Sequence, residues 1–127
     1  MDLSGFKPVI LVSGKDTMTV SNAGVSFSQA TIAQLGKPEY VKALINSESR
    51  QFVIQVVGAS DPSRISFFRK KKKNMNVRWN NSILKNELSS LMGWDLETFT
   101  YRIDGDFHKE ENLMLFDLSQ AKSTKRK

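Results

Sequence analysis

The side chains with the greatest capacity for chemistry lie between residues 67 and 81, where cations, amides and aromatic rings alternate. Five consecutive cations form the centre, with phenylalanines before them and asparagines and a tryptophan after them. Lysine and arginine neutralise phosphates, asparagine amides bond to base edges or phosphates, and an exposed tryptophan stacks on bases. The side chains expected to contact nucleic acid are Arg69, Lys70, Lys71, Lys72, Lys73, Asn74, Asn76, Arg78 and Trp79. The pattern indicates nucleic-acid binding and predicts no target sequence.

Each part of this cluster also has a purely structural interpretation. A run of lysines is common in a solvated turn, and an aromatic residue that ends a strand before a helix, as Trp79 does, is usually core. Phe67 and Phe68 are adjacent in a predicted strand, where side chains alternate between faces, so one of them should point away from the core. Both interpretations of Trp79, stacking surface and core residue, stay open at this stage.

Catalytic and metal-binding patterns are poorly represented in the chain. There is no cysteine, and the single histidine, His108, lies in a polar stretch that is typical of a solvated turn. Asp104-Gly105-Asp106 resembles part of a calcium loop but lacks the spacing of an EF-hand. We therefore predict a protein that is not an enzyme, with no cofactor and no metal.

The net charge of +6 is concentrated in two segments. Residues 69–73 carry five positive charges and the last six residues carry four, and neither segment contains an acid. These nine charges exceed the net charge by three, so the rest of the chain carries −3. Such segments attract anionic partners through a field that salt screens. We expect nucleic acid, DNA ahead of RNA, or an acidic or nucleic-acid-binding protein as the partner.

The composition also bears on the cellular setting. A chain of 127 residues is close to the commonest domain size, so we expect one core or two halves that share one. No apolar run approaches the ~20 residues that cross a bilayer, and no secretory signal is recognisable. We predict a cytoplasmic monomer or homodimer without a membrane association.

In the first half, apolar runs predict strands at 6–12, 17–20 and 25–27, the first two forming a hairpin. Ser28 is a suitable N-cap for a helix that Gly36 ends. Residues 40–45 and 52–54 follow as a hairpin over a polar turn at 46–50. The stretch 58–63 is the best interior linker.

In the second half, strands are predicted at 65–68 and 74–79, with the basic run at the turn between them. Asn80 or Asn81 caps a helix that Gly93 ends. The apolar positions of this helix follow one face and are Ile83, Leu84, Leu88, Leu91 and Met92. A last hairpin joins 96–103 to 113–118 through a loop at 105–111. The residues expected in the core are Leu35, Ile54, Leu84, Leu88 and Leu115.

The same order of elements, strand, helix, glycine, strand, turn, strand, occurs in residues 25–57 and again in 77–118. The offset between the copies grows from 52 residues at the first strand to about 62 at the last, because the second helix and turn are longer. Two generic patterns could agree by chance, but we interpret them as a duplication. It predicts that the two segments superpose with Phe27 and Trp79 equivalent.

The pattern of Val25-Ser26-Phe27-Ser28, the stop at Leu35-Gly36 and the hairpin 41–56 resembles the AbrB-like swapped-hairpin fold of bacterial regulators and antitoxins. Residues 77–118 match less well, and two halves in one chain would resemble the duplicated members of that family. The resemblance implies DNA binding. Family DNA contacts do not transfer to the first half, which lacks the Arg and Pro of the family's strand signature, and only Arg78 stands where a basic strand residue is expected.

The sequence therefore predicts an α+β, mainly β fold in which two β-α-β-β halves form one compact, swapped-hairpin or barrel-like domain with two short helices. The halves are 1–61 and 62–120, followed by a disordered basic tail at 121–127. The predicted function is nucleic-acid binding by a transcription regulator or accessory factor of a bacterial or phage mobile element. The alternative is a protein-binding module, such as an inhibitor of a host nuclease or defence complex.

Overall fold

The computed structural model describes residues 1, 3–5, 14–69, 77–80 and 82–126, and within them the chain is mainly β, with one curled antiparallel sheet. The strands are β1 (Thr17–Ser21), β2 (Gly24–Phe27), β3 (Tyr40–Asn46), β4 (Gln51–Val56), β5 (Ile65–Ser66), β6 (Val77–Trp79), β7 (Phe99–His108), β8 (Leu113–Asp117) and β9 (Lys122–Lys125). The helices are α1 (Gln29–Gln34) and α2 (Ser82–Met92), with a 3₁₀ turn at Leu118–Gln120. The predicted mainly β class with two helices is confirmed. The strand predicted at 6–12 lies outside the described residues.

β1 and β2 form a tight hairpin whose turn is two residues long, since Ser21 pairs with Gly24. Gly24 has a φ of 129°, and a Cβ at this position would collide with the carbonyl oxygen of Trp79. Only glycine satisfies both the turn and the close approach of β6. The other edge of β1 pairs with β7. Both edges of β1 are therefore paired with described strands, and the predicted pairing of 17–20 with 6–12 falls on residues outside the described part of the chain.

α1 begins and ends at the predicted residues. The Ser28 hydroxyl accepts from the N–H of Thr31 at 3.2 Å and from the N–H of Thr17 at 3.0 Å, so it caps the helix and ties it to β1. Gly36 has a φ of 84°, and its N–H donates to the carbonyl of Ala33 while that of Lys37 donates to Ile32. These two bonds close the helix as a Schellman motif.

The strand order is β5-β3-β4-β8-β7-β1-β2-β6, all neighbours are antiparallel, and β9 pairs with β7. Four of these pairings, β1 with β7, β2 with β6, β3 with β5 and β4 with β8, join strands from opposite sides of residue 61. Both predicted halves therefore contribute to one sheet. The boundary at 61 stays a prediction.

The two long hairpins differ in how well their turns were predicted. The β3–β4 hairpin has the predicted turn, with Asn46 opposite Gln51. The predicted loop at 105–111 is too long, because β7 continues to His108 and pairs with β8 up to that residue. Gly105 explains the continuation: a side chain there would meet Met114 and the ring of Phe116 at 2.8–2.9 Å, so the glycine admits both core side chains.

The basic tail is ordered over much of its length. Lys122 to Lys125 form β9, which pairs with β7 from Arg102 to Phe99. β8 pairs with residues 105–108 of β7, and β9 pairs with residues 99–102 of the same strand. The 3₁₀ turn connects β8 to β9 between these two pairings. Arg126 adds bonds from its guanidinium to the carbonyls of Leu96 and Glu97. The predicted disorder is wrong for 122–126, because the free edge of β7 supplies backbone partners that need no apolar side chain.

The core contains Leu35, Ile54 and Leu88 as predicted. Leu84 and Leu115 are only half-buried, and in β8 the neighbours Met114 and Phe116 are fully buried instead, so the face of β8 was assigned wrongly. Ile83 is 72% exposed although it was placed on the buried face of α2. At about 100° per residue, Ile83 lies roughly 100° away from the stripe that Leu84, Leu88 and Leu91 form.

The two halves share an order of elements, but their helices differ. α1 has six residues and packs on β1, whereas α2 has eleven and packs on β2. The superposition of 25–57 on 77–118 therefore stays a prediction. Neither helix is long and apolar enough to cross a membrane in the part of the chain that the structure describes.

Leu88 and Ile83 give a matched test of the face of α2. Leu88→Ala should lower the free energy of unfolding by ~2–5 kcal/mol, because a fully buried side chain leaves a cavity. Ile83→Ala should change it by less than ~0.5 kcal/mol, since most of that side chain is in solvent. Urea melts of both variants measure the difference, and equal effects would contradict the orientation of α2.

Candidate nucleic-acid interface

The strands at the two ends of the sheet, β5 and β6, lie near each other without pairing. The indole Nε1–H of Trp79 in β6 donates to the carbonyl of Ser66 in β5 at 3.2 Å, so a side chain spans the gap that a ladder would otherwise close. A groove of about 700 Å³ lies along this gap, between the two strands and the first turns of α2. We call it the seam groove, and its lining includes Ile65, Ser66, Phe67, Arg69, Arg78, Trp79, Asn80, Ile83 and Glu87.

The floor of the seam groove is aromatic. The Phe27 ring lies 5.0 Å from the Trp79 ring and 5.4 Å from the Phe67 ring, and Phe67 and Trp79 are 6.2 Å apart. The steep angles between these rings, 59° to 75°, are the edge-to-face arrangements that aromatic pairs prefer. Phe67 and Trp79 line the groove, and the buried ring of Phe27 packs against both of them.

Phe67 and Phe68 are both buried, which corrects the prediction that one would point outward. β5 ends at Ser66, so the two residues no longer alternate as strand residues do. Their N–H groups donate instead to the carbonyls of Glu39 and Pro38, at 2.8 and 3.0 Å. This brings the chain inward before it reaches Arg69, which is exposed at the rim.

The rim of the groove is cationic and polar. Arg69 and Arg78 are exposed, and Asn80 adds an exposed amide. Neither guanidinium is paired with a carboxylate within the described residues, where the one ion pair joins His108 and Asp106. Glu87 is the one acid in the lining. Two guanidinium groups that no described carboxylate pairs, beside the accessible edge of Trp79, can bind a phosphate together with a base or another flat, electron-rich group.

Of the predicted contact residues, the structure brings Arg69, Arg78 and Trp79 together in this groove. The others, Lys70, Lys71, Lys72, Lys73, Asn74 and Asn76, lie outside the described residues, as does Asn81. Ile65, Ile83 and Glu87 were missed as lining residues. A helical wheel could have identified the last two, because Glu87 lies one turn after Ile83, on the side of α2 away from Leu88.

Trp79 combines the two interpretations that its sequence position allowed. It is half-buried, packs on the core ring of Phe27 and pairs in register with buried Val25. It also lines the open groove, so part of its surface faces any molecule bound there. The ring is therefore a core element with one accessible edge.

The single histidine, His108, is not among the residues that line the seam groove. His108 lies in β7 rather than in a loop, and its Nε2 is 3.3 Å from a carboxylate oxygen of Asp106 without hydrogen-bond geometry. The described residues contain no cluster of His, Asp or Glu that could hold a metal ion.

A second, shallower pocket of about 450 Å³ brings Lys15, Asp16 and Asp104 together beside Gly105. Partial burial raises the pKa of the Asp16 carboxyl, since desolvation penalises its charged form. Nothing in its lining resembles the aromatic floor of the seam groove.

Asp16 supplies a test by pH. A carboxyl whose pKa is raised on folding contributes stability that is present below its unfolded pKa of about 4 and is lost as the pH rises through the folded value. Asp16→Asn should therefore raise the melting temperature at pH 7, and the gain should vanish near pH 3. Thermal melts at several pH values measure this, and a gain that does not depend on pH would contradict the assignment.

Comparison with protein-family models, with curated proteins and with solved structures finds no match for this chain. The AbrB-like resemblance stays a prediction from pattern.

Two substitutions test the structural role of Trp79. Trp79→Ala should lower the free energy of unfolding by about 3 kcal/mol, because the ring contacts with Phe27 and Phe67 are lost. Trp79→Phe keeps a ring and loses the bond to Ser66, at a cost of about 1 kcal/mol. Urea melts measure both, and an alanine variant as stable as the parent would show that the ring is not part of the core.

Proposed function

We propose that this protein is a nucleic-acid-binding protein without catalytic activity, a transcription regulator or accessory factor of a bacterial or phage mobile element that acts in the cytoplasm as a monomer or homodimer. The observation that carries the proposal is the position of Arg69 and Arg78 on the rim of a groove whose floor is Phe67 and Trp79. Cations that bind phosphates beside aromatic rings that contact bases are the combination used in nucleic-acid grooves.

The basic run supports the same function through its place in the chain. Lys70 to Lys73 follow Arg69 directly and precede β6 by three residues, so in sequence the run lies between two residues of the groove lining, Arg69 and Val77. A chain body with a net −3 would not hold a polyanion by itself, and the five positive charges at 69–73 exceed that charge. Binding is then expected to be strongly salt-dependent and weakly sequence-dependent.

A protein partner is the second candidate, and it is favoured by the exposed apolar side chains on the same groove. Ile65 is 38% exposed and Ile83 is 72% exposed, and both contribute to the lining. An acidic or nucleic-acid-binding protein could cover them while its carboxylates meet the arginines. Such a complex would survive nuclease treatment and would weaken on Ile83→Asp.

The test of nucleic-acid binding is fluorescence anisotropy with labelled duplex and single strand at several salt concentrations. Changing Lys70, Lys71, Lys72 and Lys73 to alanine should weaken binding to all sequences alike. It should flatten the slope of log K against log salt by about 3, since each phosphate contact contributes −0.9 on duplex and −0.7 on single strands. The melting temperature should not change. A quadruple variant that binds as well as the parent, or a parent that binds neither nucleic acid at low salt, would contradict the proposal.

A further inference from the structure

The seam groove opens at one side onto the solvent-facing surface of the sheet, and Arg78 belongs to both. Val77 and Trp79 face the core side of β6, so Arg78 between them faces outward, and it is exposed. Its cross-strand partner is Ser26 in β2, which in turn lies opposite Thr19 in β1. Thr19 lies opposite Arg102 in β7, and Arg102 lies opposite Lys122 in β9.

These pairings place five side chains in one row across five adjacent strands: Arg78, Ser26, Thr19, Arg102 and Lys122. Residues paired directly across a ladder point to the same face, and here the opposite face is fixed as the core side by buried Val25, Val20 and Ile103. At ~4.8 Å per strand the row is about 19 Å long. We call it the outer row.

The outer row has cations at its ends and hydroxyls in its middle. Arg78, Arg102 and Lys122 are exposed, and no carboxylate pairs with any of them among the described residues. Thr19 and Ser26 are short, half-exposed hydroxyl residues that leave a low floor between the cations. Asp104 marks one boundary, because it lies on the same face of β7 two residues beyond Arg102. The row itself contains no acid.

We propose that the outer row is a track for the phosphate backbone of a single-stranded nucleic acid whose adjoining base enters the seam groove beside Trp79. The inference depends on the proposed function and adds the path and the strandedness of the ligand. Charge complementarity and spacing favour it: unpaired cations separated by hydroxyl donors suit successive phosphates. A row without aromatic side chains contacts the backbone rather than the bases. The accessible edge of Trp79, at the Arg78 end of the row, suits an unpaired base.

The paired substitution Arg102→Gln/Lys122→Gln tests the track. Both side chains are exposed, so the fold should persist, and a thermal melt checks this. Anisotropy with a labelled 12-nucleotide single strand should show a salt slope flatter by about 1.4, because two contacts worth ~0.7 each are lost. A four-nucleotide strand that fills only the groove end should bind the variant and the parent alike.

The control is Lys42→Gln/Lys109→Gln, which removes the same charge from β3 and from the β7–β8 turn. It should leave the slope for the 12-nucleotide strand within about 0.3 of the parent value, far below the 0.7 expected for one lost contact.

An added negative charge tests the middle of the outer row without removing a cation. Thr19→Glu places a carboxylate directly opposite Arg102, where a cross-strand ion pair supports the sheet, so stability should be kept. Binding of the 12-nucleotide strand should weaken at least tenfold, since the pair neutralises the central cation and repels phosphate. Ser47→Glu adds the same charge in the β3–β4 turn and should have little effect.

The outcomes separate the track from the proposed function. If the parent binds and the quadruple lysine variant is weakened, but the outer-row variants behave as their controls do, the track is wrong and the function stands. If duplex binds more tightly than single strand and depends equally on Arg102 and Lys122, the single-stranded assignment is overturned. A parent that binds no nucleic acid at low salt overturns both proposals.

Discussion

The pairing of β2 with β6 is the interaction on which the site depends. It comprises three residue pairs, Val25 with Trp79, Ser26 with Arg78 and Phe27 with Val77. The first and third pairs bury apolar side chains, and the aromatic contact of Phe27 with Trp79 lies between them. Because β6 is only three residues long, its backbone ladder alone would hold it weakly. Side-chain burial and the bond of Trp79 to Ser66 keep it in place, and this fixes Arg78 and the start of α2.

Side chains alternate between the two faces of a strand, and this alternation determines both which residues form the core and which charged residues face solvent. Burying Val77 and Trp79 obliges Arg78 to face solvent, and burying Ile103 obliges Arg102 to do so. Since β1 and β2 pair in register between those strands, the two arginines lie in one row, separated by the small hydroxyls of Thr19 and Ser26. A shift of one residue in any of these ladders would turn an arginine into the core. The polar surface and the apolar core are therefore consequences of one register.

Local signals in the sequence predicted the local structure well. The Ser28 cap, the Gly36 stop, the β3–β4 turn and Leu88 follow from backbone and packing rules that act over a few residues. The length of β7 was not predicted because glycine at position 105 is typical of a turn. Gly105 lies in a strand because the side chains of Met114 and Phe116, which are distant in sequence, leave no room for a Cβ there. β9 was missed because a strand that adds to an edge needs backbone partners rather than apolar side chains. The half-burial of Trp79 and the convergence of Arg69 with Arg78 depend on pairings between distant segments, which no local pattern encodes.

The topology explains why a groove exists at all. If β1, β2, β3 and β4 are exchanged with β5, β6, β7 and β8, the pairings of β4 with β8 and of β2 with β6 are preserved. The β3–β4 pairing is exchanged with β7–β8, and the β1–β7 pairing with β5–β3.

The exchange fails at one hairpin, because β1 pairs with β2 whereas β5 does not pair with β6. Two residues separate β1 from β2, and so short a turn holds the strands in a ladder. Ten residues separate β5 from β6, and they include Phe67, Phe68, Arg69 and the four lysines. A connection of that length removes the constraint to pair, so the sheet stays open between β5 and β6.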